Sequence, residues 1–362
     1  METDVHPALA LLIEAEATPV FRFATEDVET TLAVASQIEP EQMSDALVLR
    51  LAHRFADVLI QAGSLDRAAT WLLTASRRLN AAGAVARVHH LALTARLHGA
   101  RGQLVEGAAA VVRGLAAVEA CAAEPGARAE LTNLDIAASE IDLRRAVFGP
   151  IIERLTPHLR SKGAFTGIDA VWRAHHLLAA ANHATLNFQA ASDLYQVAAD
   201  LCAVHNANRD EAEALVSAGQ CAIALERPDD GVALISRAHR LVKSDTSTHH
   251  DALGALVAAL MERGDSEGAL KAARSGGVEA AKADDYTGYV QFVGITTHLL
   301  RIERRYEEAY LQLLGIYGQL TQKFGPAAGA PITALIDIIK TDLGDAEFEA
   351  LSARLLAQHG PS

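Results

Sequence analysis

Apolar residues recur at steps of three and four along most of the chain, and this spacing places side chains on one face of an α-helix. The clearest example follows a glycine turn, where Leu65, Ala68, Leu72, Ala75 and Leu79 form one stripe. Strict alternation of apolar and polar residues, which is typical of strands, does not occur between the turn residues. The pattern predicts an all-α protein.

The same pattern returns along the chain as a turn residue, a polar cap, a small residue and then apolar residues four and seven positions later. The small residue is expected where the two helices of a hairpin approach most closely. Successive small positions lie 38 to 42 residues apart. They are Val28, Ala68, Gly107, Gly149, Ala191, Gly231, Ala269 and Ala309. A period near 40 residues predicts about eight antiparallel helix hairpins stacked as a solenoid.

We expect these hairpins to form a single helical-repeat domain over residues 1–362. An N-terminal cap is predicted at about 1–40, an irregular hairpin at about 127–162 and a C-terminal capping hairpin at about 327–359. Glycine and proline residues, among them Gly276-Gly277, are interpreted as punctuation between hairpins. The helix with Ile332 and Ile339 is unusually apolar, which keeps open an oligomeric assembly through this end.

Composition narrows the range of partners. Hydrophobic residues make up 50% of the chain but aromatic residues only 5%, so alanine and leucine dominate, as suits close helix packing. The net charge of −13 argues against direct nucleic-acid binding. No apolar run reaches the roughly 20 residues that span a bilayer, and the N-terminus lacks a positively charged leader. We therefore expect a cytoplasmic protein without membrane contact.

The sequence offers no catalytic or cofactor motif. Asp135, Glu140 and Asp142 are interpreted as a solvated face rather than as catalytic carboxylates. Histidine pairs such as His175-His176 and His249-His250 point about 100° apart on a helix, so a metal ion would need a ligand from another hairpin. The three cysteines have no metal-binding spacing. We predict no enzyme, no metal and no cofactor, with an all-α enzyme containing a cavity as the alternative.

Three turns identify the repeat more closely, namely Gly63-Ser-Leu-Asp-Arg-Ala68, Gly264-Asp-Ser-Glu-Gly-Ala269 and Tyr306-Glu-Glu-Ala309. They resemble the Gly-Asp-aromatic-x-x-Ala turn of the tetratricopeptide repeat. The long period, near 40 residues, is similar to that of the repeat domains of bacterial regulators. The resemblance implies a right-handed superhelix. Because the family period is about 34 residues and HEAT repeats are longer, HEAT-like packing is the alternative.

In tetratricopeptide arrays the first helix of each hairpin lines a concave groove, and the resemblance implies the same here. The polar residues expected in the groove are Arg50, His53, Asp57, Gln61, His89, Arg96, Arg173, His176, His183, Gln220, Gln291, His298 and Arg301. Such a groove suits an acidic peptide, held by charge-assisted hydrogen bonds. The alternative is that these are ordinary solvated helix positions.

The resemblance thus predicts a non-catalytic scaffold that binds a peptide or protein segment, as a sensor or adaptor in a regulatory system. A pH-sensitive version adds that His176 and His183 become charged near pH 6 and tighten an acidic ligand.

Overall fold

A computed structural model of the chain describes residues 44–79, 82–161, 163–243 and 246–359. These residues form sixteen α-helices and one short 3₁₀-helix, and no strand is found among them. The chain divides into two compact units, unit 1 (Met1–Cys221) and unit 2 (Ala222–Ser362). The predicted all-α class is confirmed. The expected N-terminal cap at about 1–40 lies outside the described residues, and the single domain stays a prediction.

The helices of unit 1 alternate as first and second members of sequential pairs, and α1 packs on α2, α3 on α4 and α7 on α8. Their bounds are α1 (Asp45–Gln61), α2 (Leu65–Ser76), α3 (Ala84–Ala100), α4 (Leu104–Ala120), α5 (Ala127–Arg144), α6 (Gly149–Leu159), α7 (Ile168–Ala184) and α8 (Phe188–Val204). The next helix, α9 (Asn208–Ala224), contains the boundary between the units.

Unit 2 continues the alternation to the end of the described chain. Its helices are α10 (Pro228–Leu241), α11 (Thr246–Glu262), α12 (Ser266–Lys282), α13 (Tyr286–Ile302), α14 (Tyr306–Phe324), α15 (Ala330–Leu343) and α16 (Asp345–His359), with the 3₁₀-helix at Pro326–Gly329. The fold is therefore a series of helix pairs of the tetratricopeptide type. None of the described helices is both long enough and apolar enough to cross a membrane.

Each pair turns through one residue in the left-handed backbone region, which ends the first helix. Glycine takes this position in four pairs, at Gly63, Gly102, Gly264 and Gly344. Residues with a side chain take it in the other four, at Ala146, Leu186, Glu226 and Arg304. The eight positions lie 38 to 44 residues apart. The repeat is thus more regular in backbone geometry than in residue type. For this reason the glycine of the turn motif is missing from half of the pairs in the sequence.

The predicted small residue is the fourth residue of the second helix in six pairs, and there it is buried. At Gly107 an added Cβ would lie 3.1 Å from the carbonyl oxygen of Ala95, so a side chain there would require the two helices to shift apart. Gly149 does not fit, because it is the exposed first residue of α6. The buried contact of α6 is made by Ile151 and Leu155 instead. The first small position, Val28, lies outside the described residues.

Two other expectations are wrong. Gly276 and Gly277 do not separate hairpins, because both lie inside α12. The acidic residues of α5 are not a freely solvated face, because each is partly buried and paired. Asp142 accepts hydrogen bonds from two nitrogens of Arg154, and Asp135 is paired with His158 on α6. Ion pairs therefore hold this irregular hairpin together.

Candidate functional site

A cavity of about 740 Å³ lies in unit 1 between four consecutive first helices, α1, α3, α5 and α7. These are the helices that the repeat pattern predicts on the inner face. Six of the predicted groove residues line this cavity, and they are Arg50, His53, Asp57, His89, Arg96 and Arg173. The cavity therefore gathers residues that are up to 123 positions apart in the chain.

Asp57 lies at the centre of the polar lining. It is bridged to Arg96 of α3, and its two oxygens accept hydrogen bonds of 2.9 and 3.2 Å from Arg173 of α7. The side chains of Arg96 and Arg173 are only 5% and 9% exposed. Burial by itself raises the pKa of Asp57, but the charges and hydrogen bonds of Arg173 and Arg96 outweigh it and hold the pKa well below its usual range. Asp57 is therefore ionised and locks three helices together.

Further ion pairs surround this centre. Arg96 also donates from Nε to both oxygens of Glu140 on α5, at 3.1 Å each. On the other side, Arg54 of α1 donates to Asp169 of α7 at 3.0 Å. Arg96 and Arg173, which the sequence offers to an acidic ligand, are thus already engaged by carboxylates of the chain. The balance of charge in the cavity is close to neutral, in spite of its arginines.

Three histidines line or border the same cavity. His53 Nε2 lies 3.2 Å from His90 Nδ1, and the ring of His53 also packs against the ring of His89 with centroids 5.0 Å apart. His89 Nδ1 lies 2.9 Å from Glu130 Oε2, whose carboxylate also accepts a hydrogen bond from Asn133. Burial, followed by the charges of His89 and His90, lowers the pKa of His53 to about 2. His53 is therefore neutral at physiological pH.

This cluster predicts how the stability of unit 1 depends on pH. The pKa of His53 is about 2 in the folded state against an ordinary value of 6.5. Its contribution to the free energy of unfolding is therefore complete above pH 6.5 and is lost as the pH falls below that value. The pH dependence that His89 contributes has the opposite sign. Burial opposes its charge, but Glu130 and Asp57 raise its pKa, so its contribution is present below pH 6.5 and is lost as the pH rises through the folded-state pKa.

We expect His53→Gln to flatten the fall in stability below pH 6.5 by up to about 1.4 kcal/mol per pH unit. Urea unfolding at a series of pH values measures this slope. His298→Gln on α13 is the control, because His298 is an exposed histidine outside the cavity. An unchanged slope in His53→Gln would show that the cluster does not titrate with folding.

Apolar side chains fill the space between the charged groups. Leu49 of α1, Val85 and Leu93 of α3, Ile136 of α5 and Ile168 of α7 all line the cavity. Their contacts offer burial to the apolar side chains of a ligand, while the arginines and carboxylates offer hydrogen bonds to its polar groups. The cavity therefore offers both apolar surface and polar groups to a ligand, and its central carboxylate, Asp57, is held in ion pairs.

The remaining predicted groove residues of unit 1 do not line this cavity. Gln61 and Gln220 are exposed at other places. His176 packs between Trp172 and Tyr195, with ring centroids 5.7 and 5.8 Å away. Burial lowers the pKa of His176, in spite of Glu213 and Glu140, and this acts against the predicted charging near pH 6. His183 packs on the edge of Phe188.

The three predicted residues of unit 2 do not come together as a site. Gln291 and His298 are exposed on α13. Arg301, near the end of the same helix, makes a bidentate ion pair with Asp342 of α15, with distances of 2.6 and 2.9 Å. Arg301 therefore joins two helix pairs, and its guanidinium is not open to a ligand carboxylate.

Sequence reasoning missed Arg54, Glu130 and Asp169, which also line the cavity. Arg54 and Asp169 each lie one helical turn from a predicted residue, Arg50 and Arg173, so the helical period contained the necessary information. Glu130 lies on the irregular hairpin, where the weak repeat pattern offers no clear small position from which to count back to the residues of the inner face.

The fold has clear counterparts among solved structures. No protein-family model matches the sequence, and comparison with curated proteins finds no significant match. The apo form of RapI superposes with a TM-score of 0.55 at 11% sequence identity, covering 94% of this chain and 99% of RapI. The apo form of the quorum sensor NprR from B. thuringiensis superposes with a TM-score of 0.50 at 12% identity, covering 97% of each chain. Over nearly its whole length the chain has the tetratricopeptide-like fold of these bacterial regulators.

Proposed function

We propose that this protein is a non-catalytic binding protein whose ligand is a peptide or a protein segment, held in the cavity of unit 1. The observation that carries the proposal is the convergence of four consecutive first helices on one cavity of about 740 Å³ with a mixed apolar and charged lining. A volume of this size accommodates several residues of an extended chain rather than a whole domain.

The fold supports a sensor or adaptor role. NprR, which shares the fold, is a quorum sensor, and we carry this role to the present chain as part of the proposal. Helix pairs of this kind contact their neighbours through small interfaces, so a ligand that bridges α1 and α7 is able to shift their relative rotation. Through such a shift, ligand binding changes the surface that a protein partner contacts.

A non-catalytic role is supported by the state of the central carboxylate. Asp57 is ion-paired with Arg96 and Arg173, and its depressed pKa makes it a poor general acid or base at neutral pH. Assembly through α15 is the other alternative. Ile332 and Ile339 of this helix are fully buried within the chain, which leaves less apolar surface for a second copy than the sequence suggests.

Peptide binding is tested with fluorescently labelled pools of random heptapeptides that are acidic, neutral or basic. We expect Thr166→Trp to abolish the binding of every pool that binds the unaltered protein, because Thr166 is an exposed lining residue and an indole there competes with the ligand for the cavity. We expect Arg50→Glu to weaken the acidic pool selectively by roughly 10- to 100-fold, the range for one charge-assisted hydrogen bond.

Arg113→Glu is the matched control, because Arg113 is exposed on α4 and does not line the cavity. Fluorescence polarisation measures the affinities, and thermal unfolding verifies that each variant is folded. Binding that survives Thr166→Trp, or that falls equally in Arg50→Glu and Arg113→Glu, would place the ligand elsewhere. Equal affinity for the three pools would remove the acidic preference but leave the cavity as the site.

A further inference from the structure

A second cluster of polar side chains lies in unit 2, where three successive helices meet. His239 comes from the last turn of α10, His249 from the first turns of α11 and Glu279 from the last turns of α12. One nitrogen or oxygen atom of each side chain lies within 4.8 Å of the corresponding atoms of the other two. The residues are 10 and 30 positions apart, so the fold, and not a local motif, assembles them.

The contacts within the cluster are close but incomplete. His249 Nε2 lies 2.5 Å from Glu279 Oε2, and the rings of His239 and His249 stack with centroids 4.3 Å apart. His249 is 6% exposed, yet its Nδ1 has no hydrogen-bond partner, and the same is true of the buried Nε2 of His239. A buried polar atom without a partner is costly, so two of them in one cluster point to a group that the protein atoms do not supply.

We propose that His239, His249 and Glu279 form a binding site for a single divalent transition-metal ion, with Zn²⁺ as the best fit. Two imidazoles and one carboxylate are a common zinc ligand set, which leaves a fourth position for water or a further ligand. Nitrogen and oxygen donors of this kind disfavour Ca²⁺ and Mg²⁺, which take oxygen ligands. The ion would tie the helix pair α11–α12 to the preceding helix α10.

The cluster needs only a local adjustment to take the ion. Zinc binds nitrogen and oxygen at about 2.0–2.2 Å, so ligand atoms on one tetrahedral ion lie roughly 3.4 Å apart. No spacing among the three ligand atoms therefore has to shorten by more than about 1.4 Å. Glu279 is the ligand with the most room to move, because its side chain is 41% exposed while that of His249 is held by packing. Ser275 donates a hydrogen bond of 3.2 Å to the other carboxylate oxygen, an outer contact of the kind that orients metal ligands. The positive charges of Lys243 and Arg240 act against the ion and are expected to limit its affinity.

The test uses the full-length protein without an affinity tag, stripped with chelator and titrated with Zn²⁺ by isothermal calorimetry. We expect one site that raises Tm by several degrees at saturating metal. Co²⁺ should bind at the same stoichiometry and show the visible absorption of a tetrahedral site. His239→Gln and Glu279→Gln should each weaken Zn²⁺ binding by at least about 100-fold.

The control is His298→Gln, which removes an exposed histidine of the same unit and should leave the affinity unchanged. Glu279→Gln keeps the test valid if a histidine variant fails to fold, because Glu279 is partly exposed and its replacement is isosteric. No Zn²⁺ binding by the unaltered protein, or binding that is equally strong in the His239→Gln and Glu279→Gln variants, would overturn the proposal. An ordered water bonded to His239 and His249 in a crystal grown with Zn²⁺ would do the same.

Discussion

Replacing Asp57 with alanine is expected to destabilise unit 1 by about 3 kcal/mol. The change leaves Arg96 and Arg173 buried and removes the carboxylate that both of them contact. Breaking a buried ion pair by removing one partner costs far more than the pair itself contributes, because the remaining charge is no longer compensated. Arg96 keeps Glu140, so Arg173 carries most of the penalty. Urea unfolding measures the loss, and hydrogen exchange by mass spectrometry should show it as faster exchange in α1, α3 and α7.

Asp66→Ala is the matched control for this prediction. Asp66 also pairs with an arginine from another part of the chain, Arg101 just after α3, at 2.6 Å, but the side chain of Asp66 is fully exposed. Surface ion pairs contribute little, so the unfolding midpoint should not change measurably. Asp57→Asn should lie between the two, because the amide oxygen still accepts a hydrogen bond. If Asp57→Ala unfolded at the same urea concentration as Asp66→Ala, the central ion pair would have no structural role.

The same ion pair bears on the ligand. Asp57 already occupies the position between Arg96 and Arg173 that an acidic peptide would otherwise take. Arg96 is buried in this ion pair, so its replacement would disturb the fold. Arg50 is exposed on α1, and Arg50→Glu is therefore the sharper test of an acidic preference.

Much of the fold is predictable because it depends on local periodicity. The stripe from Leu65 to Ala75 and the small residue Ala68 require only the helical period and a limit on side-chain size. The turn at Leu186 shows where such reasoning ends. Its left-handed backbone is carried by a residue without a glycine's freedom, because the packed helices on both sides impose the turn. Tertiary context, and not local preference, maintains the repeat there.

The candidate site shows a different limit of prediction from the sequence. Counting along helix faces placed His53, Asp57 and Arg96 on the inner surface, but no spacing rule shows that Asp57 pairs with Arg173, which is 116 positions away. The histidine cluster of unit 2 has the same character. The sequence indicated that a metal ion at His249 would need a ligand from another hairpin, and the structure places His239 of α10 close to His249, together with Glu279 of α12. Contacts between helices become visible only when the register of each pair is known.

The last large effect is expected at Gly276, which the sequence suggests is a turn and the structure places inside α12. An added Cβ would lie 2.6 Å from Cε1 of Phe292, a fully buried ring on α13. Because this distance is shorter than any van der Waals contact, Gly276→Ala should force the ring or the two helices to shift and cost about 1–3 kcal/mol. Thermal and urea unfolding of the full-length protein measure the loss.

The neighbouring glycine provides the control, and its expected change has the opposite sign. An added Cβ at Gly277 would meet Phe292 only at 3.7 Å, an ordinary van der Waals distance. Gly277→Ala should therefore stabilise the helix by up to about 1 kcal/mol through helix propensity alone. Two identical substitutions at adjacent positions thus separate steric contact from propensity. If both variants were stabilised, the α12–α13 interface would be looser than the structure shows. If both were destabilised, Phe292 would respond to crowding on either side of its contact, and helix propensity would not govern the Gly277 position.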